Sequence, residues 1–180
     1  MAAKSLVRVL PLLCLVFVSL ADAHGISYIN RICQRATRAN PAIKFDFCVT
    51  SLQAVPESHT TEIAGLLKIT TDLALKNASR TTDIIKKMGS VACEDLTKHQ
   101  LDACLGAYGA AVSVLQEATG AFAGGNYAGA NLGAALSGAT KCDKAFKNVN
   151  GDLLAQDNSN LRQLVTIAQT LHRFVTKHSR

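Results

Sequence analysis

Cys33, Cys48, Cys93, Cys104 and Cys142 bear most directly on chemistry, and three chemistries are open to them: disulfide formation, zinc ligation and thiolate attack. Structural zinc needs C-x-x-C pairs or histidines at ligand spacing, and neither occurs among these cysteines or among His24, His59, His99, His172 and His178. No metal site and no cofactor are expected. A catalytic nucleophile needs a base and an oxyanion donor in a recognisable context, yet the chain has no G-x-S-x-G, no H-E-x-x-H and no phosphate-binding G-x-x-x-x-G-K. Glu94, Asp95 and Asp102 form an acidic cluster, but acids at a helix start serve the helix dipole. No catalytic residue is assigned, and the chain reads as a binding module rather than an enzyme.

Disulfides remain, and the leading segment favours them. Lys4 and Arg8 precede an apolar run from Val9 to Leu20 that ends in Ala21-Asp22-Ala23, the pattern of a secretory signal cut after Ala23. The run is too short for a bilayer core of about 30 Å, and no later stretch is longer, so a secreted, extracellular chain without a membrane anchor is expected. Cutting there removes Cys14, Lys4, Arg8 and Asp22 and lowers the formal net charge from +6 to +5. The charges are scattered singly with no basic stripe, which argues against nucleic acid. Weak association with acidic polymers outside the cell is compatible with this balance.

The elements that must position the cysteines read as helices throughout. One amphipathic stripe spans about Thr60 to Lys87, with Gly89-Ser90 as its stop, and a second runs from Leu101 to Phe122 and stops at Gly124-Gly125. The segment Ala121 to Cys142 holds five glycines and seven alanines, a linker-like composition, yet Leu132, Ala135, Leu136, Ala139 and Cys142 keep helical period. It reads as a helix from Ala128, with Asn126 suited to cap its start. A fourth stripe, Leu161 to Val175, follows a polar segment from Asn148 to Asn160. Two shorter helices, about Ile26 to Thr37 and Ile43 to Leu52, flank Asn40-Pro41 as a hairpin. The fold class is therefore all-α: an N-terminal helical hairpin over 24–57, then an antiparallel up-and-down four-helix bundle over 58–180.

Those elements constrain the pairing. Cys93 and Cys104 on one helix would lie about 16 Å apart, beyond the span of about 4.4–6.8 Å that a disulfide allows. Cys33 and Cys48 sit on opposite arms of the hairpin and suit a local bridge, which leaves Cys104 with Cys142 and makes Cys93 an unpaired thiol. Asn77-Ala78-Ser79 is an N-glycosylation sequon, read on the exposed side of the first long helix.

Several segments together resemble the plant invertase and pectin methylesterase inhibitor family: R-I-C-Q-R-A-T-R-A-N-P-A-I-K-F-D-F-C, P-E-S-H-T, D-A-C-L-G-A-Y-G-A-A-V with Tyr108, and A-A-L-S-x-A-x-x-C. F-C-V-T-S-L-Q-A-V-P-E-S-H-T is most similar to the family's pollen invertase inhibitors. The resemblance implies the same hairpin and bundle, with Cys33, Cys48, Cys104 and Cys142 at the family's disulfide positions and Cys93 additional. It also implies a one-to-one complex that covers the active site of a carbohydrate-active enzyme in the apoplast or, less readily, the vacuole. Cell-wall invertase inhibitors of the family can present Pro-Lys-Phe at the loop entering the third bundle helix, where this chain has Gly125-Asn126-Tyr127. That loop is the expected target contact, and it favours pectin methylesterase over invertase (beta-fructofuranosidase) as the partner. A small-ligand carrier is the alternative from another class.

Overall fold

A computed structural model describes residues 25–92, 95–128, 130–147 and 154–178, with side chains at all of these except 95, 96 and 178. The segment read as a signal, with its cleavage point, and Cys93 with Glu94 lie outside the described residues. Helix α1 covers residues 25–39 and α2 Phe45–Gln53, followed by a 3-10 turn at Pro56–His59. Four longer helices follow: α3 Ile63–Val91, α4 Asp95–Ala123, α5 Leu132–Phe146 and α6 Ala155–His178. No strand occurs among the described residues.

Packing follows the apolar stripes. Helix α3 lies on α4, α4 on α5, α5 on α6, and α6 closes the ring against α3. Leu66, Leu67, Leu101, Leu115, Phe122, Leu132, Leu161 and Leu171 fill the interior. Threonines complete it: Thr70, Thr71 and Thr170 are buried, and each hydroxyl donates to the carbonyl four residues back, at 2.7, 2.9 and 2.9 Å. A buried hydroxyl satisfied by its own helix costs little. That lets an apparently polar position face the core.

The first two helices lean on α6. Gln163 donates from Nε2 to the Ala42 carbonyl at 2.9 Å and accepts the Lys44 N–H at 2.8 Å, and Arg35 stacks over Phe174 at 4.2 Å. Cys33 and Cys48 join α1 to α2 with Cα atoms 5.8 Å apart, and Cys104 joins Cys142 across α4 and α5 at 4.5 Å. The second bridge needs very close helices. Gly138 supplies the closeness: a Cβ there would stand 2.9 Å from the Ala107 carbonyl oxygen and 3.0 Å from Ala111 Cβ. Gly138→Val forces α4 and α5 apart, so we expect a loss of about 2–3 kcal/mol in denaturant unfolding, with the disulfides intact by thiol titration.

Three boundaries differ from the sequence reading. Helix α3 passes through Gly89-Ser90 and ends at Val91, where Ala92 turns extended; the Ser90 hydroxyl donates to the Lys87 carbonyl at 2.8 Å, and this exposed end tolerates the propensity cost of one glycine. Helix α5 begins at Leu132 rather than Ala128, because Asn126 spends its side chain on the loop: its Oδ1 accepts the Ala128 N–H at 3.1 Å. Helix α6 begins at Ala155, inside the polar segment, held by Gln156 donating to Asn160 at 2.7 Å and by the burial of Asn158.

Asn77 also departs from expectation. It sits mid-helix and half-buried, with its Oδ1 shielded from solvent, rather than on the open side of α3. The cause is the neighbouring turn, where Ala74, Ala78 and Thr81 are all fully buried and draw this face inward.

Candidate functional site

A polar chain lies within the bundle, anchored by Tyr108 on α4. Its phenol donates to Asn158 Oδ1 at 2.7 Å, Asn158 donates from Nδ2 to Asp143 Oδ1 at 2.5 Å, and Arg162 pairs with the other oxygen of Asp143. Burial pushes the Tyr108 phenol well above the ordinary tyrosine range, and the negative charge of Asp157 adds to it. The chain ties α4, α5 and α6 in one register. Its members bond one another across three helices, Tyr108 and Asn158 buried and Asp143 and Arg162 at the surface end, so we read it as a structural lock.

Removing the hydroxyl leaves Asn158 Oδ1 buried without its donor, and Tyr108→Phe is expected to cost about 1–3 kcal/mol. The raised phenol also fixes a pH dependence. Below about pH 10 both the folded and unfolded chains keep the proton; above it the unfolded phenol ionises first, so stability falls as pH rises further. Urea unfolding at pH 8 and pH 11 checks this, and Tyr108→Phe should lose that part of the alkaline decline.

The loop from Ala123 to Leu132 is built in steps. Gly125 takes φ +75°, and the hydrogen bonds Asn126 N–H to Ala121 O (2.9 Å) and Gly125 N–H to Phe122 O (3.0 Å) close the end of α4 as a Schellman motif. Tyr127 then folds down. Its ring stacks on buried Phe122 at 5.5 Å between centroids, His172 stacks on Phe122 at 5.6 Å, and His172 Nε2 bonds the Tyr127 carbonyl at 2.6 Å. Of the three residues singled out in the sequence, Gly125 and Asn126 are exposed while Tyr127 is half-buried. The aromatic ring anchors the loop and does not project from it.

Beside the loop, the outward side of α4 presents Ala103, Gly106, Gly109, Ala110, Ser113 and Gly120, all exposed, with the exposed Gln116 and Glu117 standing between Ser113 and Gly120. From Ala103 to Gly120 this strip is about 26 Å long. Apart from the helix's own adjacent backbone, no atom of the described residues lies within 4 Å of where a Cβ would stand at Gly106, Gly109 or Gly120. Each glycine costs a helix about 1 kcal/mol relative to alanine, and no internal contact explains these three. The strip adjoins a shallow groove of about 390 Å³ between α4, the loop and α5, lined mainly by alanines together with Val114, Glu117 and Asn131. No cluster of His, Cys, Asp or Glu able to hold a metal occurs among the described residues.

The family model for "Plant invertase/pectin methylesterase inhibitor" matches residues 27–171. The chain belongs to this family. A Platanus orientalis protein named "Putative invertase inhibitor" is 30% identical over 167 residues, covering 91% of this chain and 95% of its own length. The "Pectinesterase inhibitor" of Actinidia deliciosa is 29% identical over 121 residues, covering 66% of this chain and 62% of its own length. The crystal structure of a pectin methylesterase inhibitor from Arabidopsis thaliana aligns with a TM-score of 0.60 at 22% identity over 82% of this chain and 95% of that one. A mutant form of an Arabidopsis inhibitor gives 0.64 at 20% identity, over 76% and 95%. At that identity these structures establish the fold, a disulfide-tied helical bundle. As a family member, this chain is one of a group of proteinaceous inhibitors rather than enzymes.

The apolar stripe of α4 accounts for its buried side and leaves the small-residue strip on the opposite side without an apolar signal of its own. Glycines at 106, 109 and 120, with no matching packing partner, are the missed sign. Asn158 lies within, and Arg162 just after, a segment whose composition imitates a linker, which hides their role.

Proposed function

We propose that this chain is a secreted, extracellular inhibitor that occludes the active-site cleft of a pectin methylesterase in a one-to-one complex. The exposed strip of α4 and the adjoining alanine-lined groove form the contact, with Gly125 and Asn126 at one end. The observation that carries this reading is the open space above Gly106 and Gly109, where a partner's backbone can reach the helix axis more closely than any side chain would permit. A strip about 26 Å long suits a standard interface of roughly 800 Å² per partner. Inhibition here needs only shape and exclusion of substrate. No helix among the described residues is long and apolar enough to cross a membrane.

Invertase is the second reading, favoured by the Platanus orientalis relative that matches nearly the whole chain. The loop supports the first reading. Tyr127 is stacked inward on Phe122, which leaves exposed Asn126, short and with its Oδ1 bonded to the Ala128 N–H, as the outward side chain of the Gly125-Asn126-Tyr127 turn. A deep sucrose pocket calls for a longer probe. Purified mature protein assayed in parallel against plant pectin methylesterases and against cell-wall and vacuolar invertases separates the readings. Loss of methylester hydrolysis with sucrose hydrolysis untouched is expected, and the reverse pattern assigns the chain to invertase.

A further inference from the structure

We propose that a second site, the polar cleft between the start of α5 and the C-terminal third of α6, binds a carboxylated sugar: a uronic acid residue of an oligosaccharide. The cleft is open to solvent, has a volume of about 420 Å³ and is lined by Asn40, Asn131, Gln169, His172 and Arg173, with Leu132 and Gly133 of the first turn of α5 also on its wall. That volume falls within the roughly 300–1,000 Å³ of small-ligand sites. Its lining includes the Arg173 guanidinium and no carboxylate. The ligand's charge is therefore negative.

The neutral groups give it the rest of its chemistry. Asn131 and Gln169 make no side-chain hydrogen bond to another described residue, so both carboxamides present a donor and an acceptor to the cleft. Gly133 lets them converge: a Cβ there would crowd both, 3.3 Å from Asn131 Oδ1 and 3.4 Å from Gln169 Nε2. His172 is held in orientation by its bond to the Tyr127 carbonyl at 2.6 Å and by its stack on Phe122. Arg173 places one nitrogen 3.2 Å from the Thr170 hydroxyl and keeps its remaining donors for a ligand. Asn131 makes no side-chain cap to α5. A guanidinium recognises carboxylate, and paired carboxamides recognise vicinal hydroxyls; a uronic acid carries both. A net positive protein adds long-range attraction.

Binding is read with no enzyme present, so the result stands whichever enzyme the α4 strip engages. The full mature chain is titrated by calorimetry with a galacturonic acid trimer, its methyl ester, a neutral glucose trimer and citrate. The acidic trimer should bind with Kd of about 1 mM or below. The methyl ester and the variants Arg173→Gln and Gly133→Val should bind at least about tenfold more weakly. Lys141→Gln, which removes an exposed charge elsewhere on α5, should change nothing. The proposal is overturned if the acidic trimer does not bind, if its ester binds equally, if citrate binds as tightly, or if Lys141→Gln weakens binding as much as Arg173→Gln. Circular dichroism of each variant establishes that the bundle is intact before binding is compared.

Discussion

Gly109→Arg should weaken enzyme inhibition by about a hundredfold or more while the bundle stays folded. The expectation rests on two facts about one position. Gly109 is exposed, with no described residue outside the adjacent helix backbone within 4 Å of its missing Cβ, so a side chain added there starts outward into open space. It also lies midway along the strip assigned to the target, where an arginine holds the partner off across the whole contact. The companion substitution Gly109→Ala isolates the steric part. Alanine improves helix propensity and should raise stability by about 0.5–1 kcal/mol, with a much smaller effect on inhibition than arginine. Thermal unfolding and inhibition titrations on both variants check the two halves separately. If Gly109→Arg inhibits as well as the parent, the target does not contact α4 there.

The second large effect is on stability. Replacing both Cys104 and Cys142 by alanine should cost about 4 kcal/mol, from a closed loop with a sequence separation of 38 residues. The separation at Cys33–Cys48 is 15 and its loss should cost about 3 kcal/mol. The difference in consequence is larger than the difference in energy. Helix α5 has 15 residues, near the length at which isolated helices are marginal, and Gly133 and Gly138 weaken it further. It is held by the bridge, by close contact with α4 and by the Asp143 lock. Without Cys104–Cys142 its amides should exchange first, ahead of α3 and α6, and denaturant unfolding should lose cooperativity. Hydrogen exchange that instead fails uniformly over the bundle would contradict this dependence.

How much of this was legible before the structure depends on the kind of signal. The apolar stripes of α3, α4 and α6 identify those helices, because burial on one face imposes a helical period whatever the neighbours are. The two disulfides follow from helix rise and the short reach of a disulfide. Ends were less legible. Asn126 looks like a helix cap, but its carboxamide is used two residues on in the loop, so α5 starts later. Asn158 looks like linker, but pairing with Tyr108 and Asp143 permits its burial. In both cases the deciding partner is a tertiary or loop contact invisible to local composition. The candidate site was half legible: Gly125 and Asn126 are exposed as expected, whereas Tyr127 turned inward because Phe122 and His172 offer it a stack. The α4 strip was hidden because exposed small residues look the same in sequence whether they face solvent or a partner.

One measurement tests the central claim most directly: titrating a plant pectin methylesterase of known active concentration with the mature protein, under mildly acidic conditions, while recovering the mixture by size-exclusion chromatography. Methylester hydrolysis should fall linearly to an end point at equimolar inhibitor, with both chains eluting together, and Gly109→Arg should give no such end point. Full hydrolysis in the presence of excess protein, with the two chains eluting apart for every pectin methylesterase tried, would contradict the claim.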